Sequence, residues 1–499
     1  MAIIDISTID DHERFRAELA SIRPDGRRRW IYARKPRGRF TRWRNIVGIV
    51  LIAFLMLAPY VKVDGHQFML LNIIDRKFVF FGFPFWPSDF YLVTMMFLAT
   101  IVTFVIATAS LGRIWCGWLC PQTVFMEMVF RKIEWLVEGS PVEQARRHAG
   151  PWNADRISRT GVKFVIFFAL SFVIANTFLS YVISSDVLLK YIAEGPQAHM
   201  ELFVGLVFFT GVFFMVFYRF REQACLIACP YGRYMSALVD DKTVTVSYDH
   251  VRGEDRSKWS REDVASQRAA LARGETFSRP AGTGDCLDCH QCVTVCPTGI
   301  DIRNGIQLEC VGCTACIDAC DEVMDKVGLD RGLIRYDSLT SIRSGKPQSI
   351  LTSRIVAYGI VWLVLMSTVV AMFAMRSSLD VIILRQAGST WVETPQGLAN
   401  FYQVRLINKT NRDMPVSIRV REPLGMRLQP LGLPSVLGAE QIVNARFILT
   451  MPLSDEDAHD GDGKGDDLDE HRENGAVHVI VDVETPEGVQ SLQTSFVGP

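Results

Sequence analysis

Twelve cysteines carry most of the chemistry in this 499-residue sequence, and they fall into four groups with none left over. "CLDCHQCVTVCP" supplies Cys286, Cys289, Cys292 and Cys296. "CVGCTACIDAC" supplies Cys310, Cys313, Cys316 and Cys320 at the same spacing, with Asp321 where a proline is expected. Three thiolates on one tight loop can cap three corners of an iron–sulfur cube, while a fourth, displaced along the chain, reaches a second cube. The expected ligand sets therefore cross over: Cys286, Cys289 and Cys292 with Cys320, and Cys310, Cys313 and Cys316 with Cys296.

This is the spacing of bacterial two-cluster ferredoxins, and it predicts two [4Fe-4S] clusters. Zinc also uses C-x2-C pairs, but as two knuckles on a longer spacer rather than three cysteines in seven residues. Disulfides are disfavoured if the segment faces a reducing cytoplasm. Gly299, Gly305 and Gly312 would let the backbone turn close to sulfur and aim N–H groups at it. His290, between two ligands, is expected to tune the site from the surface rather than to ligate.

The other four cysteines belong to a repeated motif. "CGWLCP" holds Cys116 and Cys120, and "CLIACP" holds Cys225 and Cys229. On a continuous helix, C-x3-C places both thiols on one face, one turn apart. Pro121 and Pro230 should end the incoming helix and open the next, leaving Cys120 and Cys229 at helix N-termini. Thiols so placed suit Cu(I), an Fe–S cluster or a redox dithiol, and inert buried cysteines are the bland alternative.

The elements that position these groups are apolar. Hydrophobic residues make up 49% and charged residues 21% of the chain, and mean hydropathy is positive. Five stretches are long enough to cross a bilayer, at about 46–61, 90–111, 162–184, 202–218 and 355–375. Residues 78–87, "FVFFGFPFWP", are apolar but broken by Gly and Pro, and are expected to be interfacial or re-entrant.

Lys and Arg set the orientation. Residues 23–44 contain ten and 112–163 contain eight, whereas the loop after the first span has three (Lys62, Arg76, Lys77) and that after the third has only Lys190. The basic arm abuts a hydrophobic span, so it is expected to be a topology signal rather than a nucleic-acid site, and it places the N-terminus in the cytoplasm. "MAIIDISTIDDHERF" has acidic residues and no apolar core, unlike a cleavable signal. Both C-x3-C-P motifs then lie at cytoplasmic ends of spans. A shift of 109 residues maps Cys116, Cys120 and Pro121 onto Cys225, Cys229 and Pro230. Such duplication suggests one shared four-thiol site or a pair of related ones.

The chain thus divides into a basic cytoplasmic arm (1–45), a four-helix membrane unit (46–239), a cytoplasmic dicluster segment (240–353), a fifth membrane helix (354–376) and an external domain (377–499). The last shows short alternating runs, from "VIILR" to "VQSLQTSFV", that predict an all-β, immunoglobulin-like sandwich without its disulfide. An acidic insertion, 454–474, resembles a calcium loop only in part. Lys464 and His471 stand where ligands are required, so a solvated hairpin insertion is expected. No histidine lies in any span, so bis-histidine haem has no seat. No G-x-G-x-x-G stands in a strand–helix context, so built-in NAD or FAD binding is unsupported.

The order of these parts resembles the FixG-type (CcoG) cytochrome c oxidase accessory proteins. The likeness runs from the "RGRFTRWR" arm through five spans, both C-x3-C-P motifs and the dicluster insert to the terminal β domain. It implies an inner-membrane protein that assembles the cbb3-type oxidase and reduces Cu(II) to Cu(I). Expected partners are the membrane, copper ions, oxidase subunits or copper chaperones and transporters, and an electron donor the sequence does not identify. No nucleic acid is expected. Cys116, Cys120, Cys225 and Cys229 would be the terminus where electrons meet copper, or an additional cluster relaying to it. Two other functions fit the same parts: a non-catalytic assembly scaffold with structural clusters, and a quinol-linked conduit to a respiratory reductase.

Overall fold

The computed structural model describes residues 20–22, 25, 27–63, 65–73, 77–273, 282–386, 391–423, 425–452, 472–473, 476–486 and 488–498. The acidic insertion and its partial calcium pattern lie almost wholly outside them. The described residues form two compact units, one drawn from Met1–Lys62, Gln67–Ile74 and Thr94–Thr368, the other from Val63–His66, Asp75–Val93 and Val369–Pro499.

Five helices are long and apolar enough to cross a membrane: Arg39–Tyr60, Pro87–Leu111, Ala154–Ile183, Met200–Phe220 and Ser353–Ala374. Large apolar side chains such as Phe208, Leu363 and Val370 point outward from them, the pattern a lipid solvent favours. The first helix starts seven residues before the apolar run. Asp318 caps it, its carboxylate accepting the N–H groups of Phe40 at 3.1 Å and Thr41 at 2.6 Å. Such a cap satisfies donors that the first helical turn leaves unpaired. The third helix also starts early, where the Asn153 side chain accepts the Arg156 N–H at 2.9 Å. A preceding amphipathic helix, Pro141–Ala149, opens with a Ser140/Glu143 capping box.

The dicluster segment is closed by a two-stranded antiparallel ribbon, in which Thr245–Tyr248 pairs with Ile334–Asp337. Between the strands lie the helices Arg261–Ala272, Gln291–Thr294 and Ala315–Val327. Its apolar core gathers Val246, Tyr248, Ile302, Ile317, Met324, Leu333 and Ile334 around the buried Cys286 and Cys292.

In the second unit, residues 78–85 are not helical. They make a tight antiparallel hairpin with Phe78 opposite Phe85 and Phe80 opposite Phe83. Gly82, at φ 84°, sits in the left-handed conformation the turn needs. The same unit contains two antiparallel sheets. One runs in the order Arg427–Leu431, Ile442–Met451, Gly397–Asn408, Leu379–Arg385, and the other Ser417–Glu422, Ala476–Thr485, Gly488–Val497. Alternate residues of both, among them Tyr402, Leu406, Phe447, Val479, Val481 and Phe496, share one core, as facing sheets do. Asp89, fully buried, is neutralised within this unit by Arg376 and Lys409, each at 2.7 Å.

Candidate iron–sulfur centres

The two cysteine loops have matching backbones. In C-x2-C-x-x-C the residue before the second cysteine and the residue after it both turn left-handed: Asp288 (φ 46°) and His290 (φ 53°) in one loop, Gly312 (φ 66°) and Thr314 (φ 62°) in the other. Three of these four are not glycine, so each loop holds a conformation that costs energy for an L side chain. Such alternation turns successive N–H groups into one concavity, the arrangement that stabilises charge on sulfur. His290 thus has a backbone role. Its ring is held by Arg303 at 2.8 Å and faces Asp288 at 3.3 Å.

Each loop borders a cavity. One is lined by Cys286, Cys289, Cys292 and Cys320, the other by Cys296, Cys310, Cys313 and Cys316, with Cys292 on the wall between them. Burial pushes the Cys292 and Cys310 thiols up to about 12 and Cys313 to about 11, and raises Cys316 and Cys320 further. Binding of a metal, which displaces the thiol proton, would offset that cost. The residues present therefore suit two cysteine-ligated clusters.

Several supporting residues carry no obvious sequence signal. Arg303, almost fully buried, braces the first loop through Asp288 at 2.6 Å and Asp301 at 2.6 Å. Asp321, which replaces the usual proline, accepts the Gly332 N–H at 3.0 Å and so ties the middle of the helix Ala315–Val327 to the approach of the closing strand. The basic arm also makes tertiary contacts. The Arg34 N–H donates to Thr294 O at 2.8 Å, so the arm packs on the first loop.

The structure brings Cys116, Cys120, Cys225 and Cys229 together. Cys225 lies within electrostatic reach of the other three, and Cys116 of Cys120 and Cys229. Burial pushes Cys116 and Cys225 up to about 12, with the Arg113 guanidinium opposing this at Cys116. The expected placement of each pair one turn apart on a single helix does not hold. Cys116 lies in the helix Ile114–Trp118, but Cys120 is already extended (φ −65°, ψ 123°), and Cys229 likewise leaves the π-helix Ala224–Ala228 (φ −74°, ψ 115°). Proline forbids helical geometry in the residue before it. Pro121 and Pro230 do open the next helices. The two motifs close identically: Cys120 N–H donates to Trp115 O and Cys229 N–H to Ala224 O, both at 2.9 Å.

This quartet abuts the second ferredoxin loop. Gly117 lies against Gly312, and Cys116 packs on Val295, Val311, Cys313 and Ala315. The Trp118 indole N–H donates to the Tyr336 hydroxyl at 3.2 Å, which donates to Gly312 O at 3.2 Å. Arg44 Nε donates to Gly117 O at 2.8 Å, and Arg113 donates to Leu308 O and Gly232 O, joining both motifs to the loop. Behind the quartet lies a buried charge network, with Arg221 bidentate on Glu134 at 2.8 and 2.9 Å and Arg28 on Glu222 at 2.8 Å.

Comparison with known proteins agrees with this layout. Residues 220–339 match a family model described as a 4Fe-4S dicluster domain, residues 92–138 one described as a 4Fe-4S binding domain, and residues 369–499 the "IG-like fold at C-terminal of FixG". Protein RdxA of Cereibacter sphaeroides is 31% identical over 86% of this chain and 90% of its own length. Protein RdxB of the same organism is 32% identical over 84% and 88%. Nitrogen fixation protein FixG of Rhizobium meliloti is 35% identical over 63% and 58%.

Proposed function

Because the chain belongs to the FixG family, we propose that it is an inner-membrane iron–sulfur oxidoreductase that reduces Cu(II) to Cu(I) for assembly of a cbb3-type cytochrome c oxidase. Its electron-transfer character rests on the dicluster domain. The copper reading rests on the family resemblance and on donor chemistry. When bound, the clusters supply one-electron carriage at potentials the protein sets.

One observation carries the reading: three four-cysteine groups lie in unbroken contact. Cys292 borders both ferredoxin cavities, and Cys116 packs beside Cys313. Cys286, Cys289, Cys292 and Cys320 are the ligands of one cluster in this proposal, and Cys296, Cys310, Cys313 and Cys316 those of the other. The quartet at the ends of the second and fourth spans is the exit. Beside Cys225 a cavity is lined by Met126, Glu127 and Glu222. Carboxylate oxygen accommodates Cu(II) and thioether sulfur favours Cu(I), so such a surround would pull the couple toward reduction.

The half-reaction takes up one electron, Cu(II) + e⁻ → Cu(I), and the electron comes from a reduced cluster that an external one-electron donor refills. The Lys/Arg asymmetry supports a cytoplasmic N-terminus and dicluster segment and a periplasmic β domain. That domain would then meet oxidase subunits or copper chaperones. Purified full-length protein given a reductant and Cu(II) should form Cu(I), captured by a Cu(I)-specific chelator, and paired Cys→Ser changes at Cys225 and Cys229 should slow it at least tenfold. A rate no higher than that of the reductant alone overturns the proposal.

A further inference from the structure

We infer that Cys116, Cys120, Cys225 and Cys229 jointly hold a third [4Fe-4S] cluster, shared between the two halves of the duplicated membrane unit. The inference rests on the electron-transfer reading above and defines what occupies its exit. The first observation is that the thiols form one set. Cys225, from the second motif, has both thiols of the first motif as neighbours, and Thr123, from the first motif, hydrogen-bonds to Cys225. Two separate dithiols would pair within a motif, not across them.

The second observation concerns contact between the motifs. Thr123 of the first motif and Cys225 of the second line one cavity together with Pro297, Thr298 and Val311, so the two motifs meet beside the second cysteine loop.

Charge balance is the third. A cube with four thiolates is a net anion and needs compensation when withdrawn from water. Arg113 is almost fully buried and acts on Cys116, with its fork anchored on Leu308 O and Gly232 O. Gly232 sits close behind, and a Cβ there would stand 2.7 Å from Cys225 O and 3.9 Å from the Cys229 Cβ. The backbone of the second motif thus folds tightly around its own cysteines.

The fourth is a shortfall. The stretch 92–138 matches a 4Fe-4S binding domain yet contains only Cys116 and Cys120. Two thiols cannot complete a cube. Cys225 and Cys229, 109 residues on, provide the other two, with Cys229 extended before its proline as Cys120 is.

The test is the metal content of anaerobically purified full-length protein. Three clusters require about twelve iron and twelve acid-labile sulfide per chain, four of each per cube. C116S/C120S and C225S/C229S should each lose one third of both and keep the spectra of the two ferredoxin clusters. The fully reduced wild type should integrate to three unpaired spins, a readout independent of whether a variant folds. A wild type with eight iron and two spins overturns the inference. So does stoichiometric copper that disappears with the cysteine pairs while iron stays constant. These counts do not depend on cupric reduction, so a failure here leaves the proposed function separately testable.

Discussion

Gly117 and Gly312 meet backbone to backbone, and a Cβ on Gly117 would stand 2.6 Å from the Gly312 carbonyl oxygen. This contact joins the first membrane motif to the second cysteine loop, and no other residue fits it. Gly117→Ala should force the two apart at an overpacking cost of about 1–3 kcal/mol. The expected result is a lower melting temperature and reduced iron. Unchanged melting and iron would show that the loop yields without consequence.

Cys296 and Cys320 are expected to ligate crosswise. Cys296→Ser should damage the cluster held by Cys310, Cys313 and Cys316, and Cys320→Ser the one held by Cys286, Cys289 and Cys292. Electron paramagnetic resonance of each reduced variant identifies the surviving signal. If the signal lost in Cys296→Ser also disappears in a Cys292→Ser variant and that in Cys320→Ser does not, the runs ligate without exchange.

Arg221 turns left-handed at φ 54° and delivers its guanidinium to the buried Glu134. Arg221→Met leaves that carboxylate buried without its main partner, at a cost of about 3–5 kcal/mol. The double change with Glu134→Met should recover most of the loss. Thermal melts of both variants in detergent decide this, and equal destabilisation of the single and double variants would contradict it.

The charge asymmetry predicts sidedness. Protease added to intact spheroplasts should remove the β domain and spare the dicluster segment. Digestion of residues 240–353 under those conditions would invert the orientation.

Much of this was legible in the sequence because cysteine spacing and hydropathy are local signals. Cys286, Cys289, Cys292 and Cys320 line one cavity and Cys296, Cys310, Cys313 and Cys316 another, which Cys292 also borders, and five helices cover the five apolar runs. What the sequence hid depends on contacts between distant residues. Asp318 lengthens the first helix by capping it from 277 or more residues away, so hydropathy, lowered by Arg39, Arg42 and Arg44, starts it too late. Arg303, Glu134 and Arg221 look like ordinary surface charges until their partners are seen. The helical spacing of C-x3-C misled because the proline that follows acts on the second cysteine itself, making Cys120 and Cys229 extended. Residues 78–85, expected to be interfacial or re-entrant, fold as a hairpin that turns at Gly82, a pairing their apolar composition does not announce.

The central claim is that electrons stored on this chain reduce copper. The direct measurement is a single turnover: protein reduced anaerobically and freed of reductant, then mixed with Cu(II) and a Cu(I)-specific chelator. The account predicts that the reduced-cluster signal disappears as Cu(I) forms, one copper per electron lost. Persistence of the reduced signal in the presence of Cu(II), with no Cu(I) trapped, would contradict it.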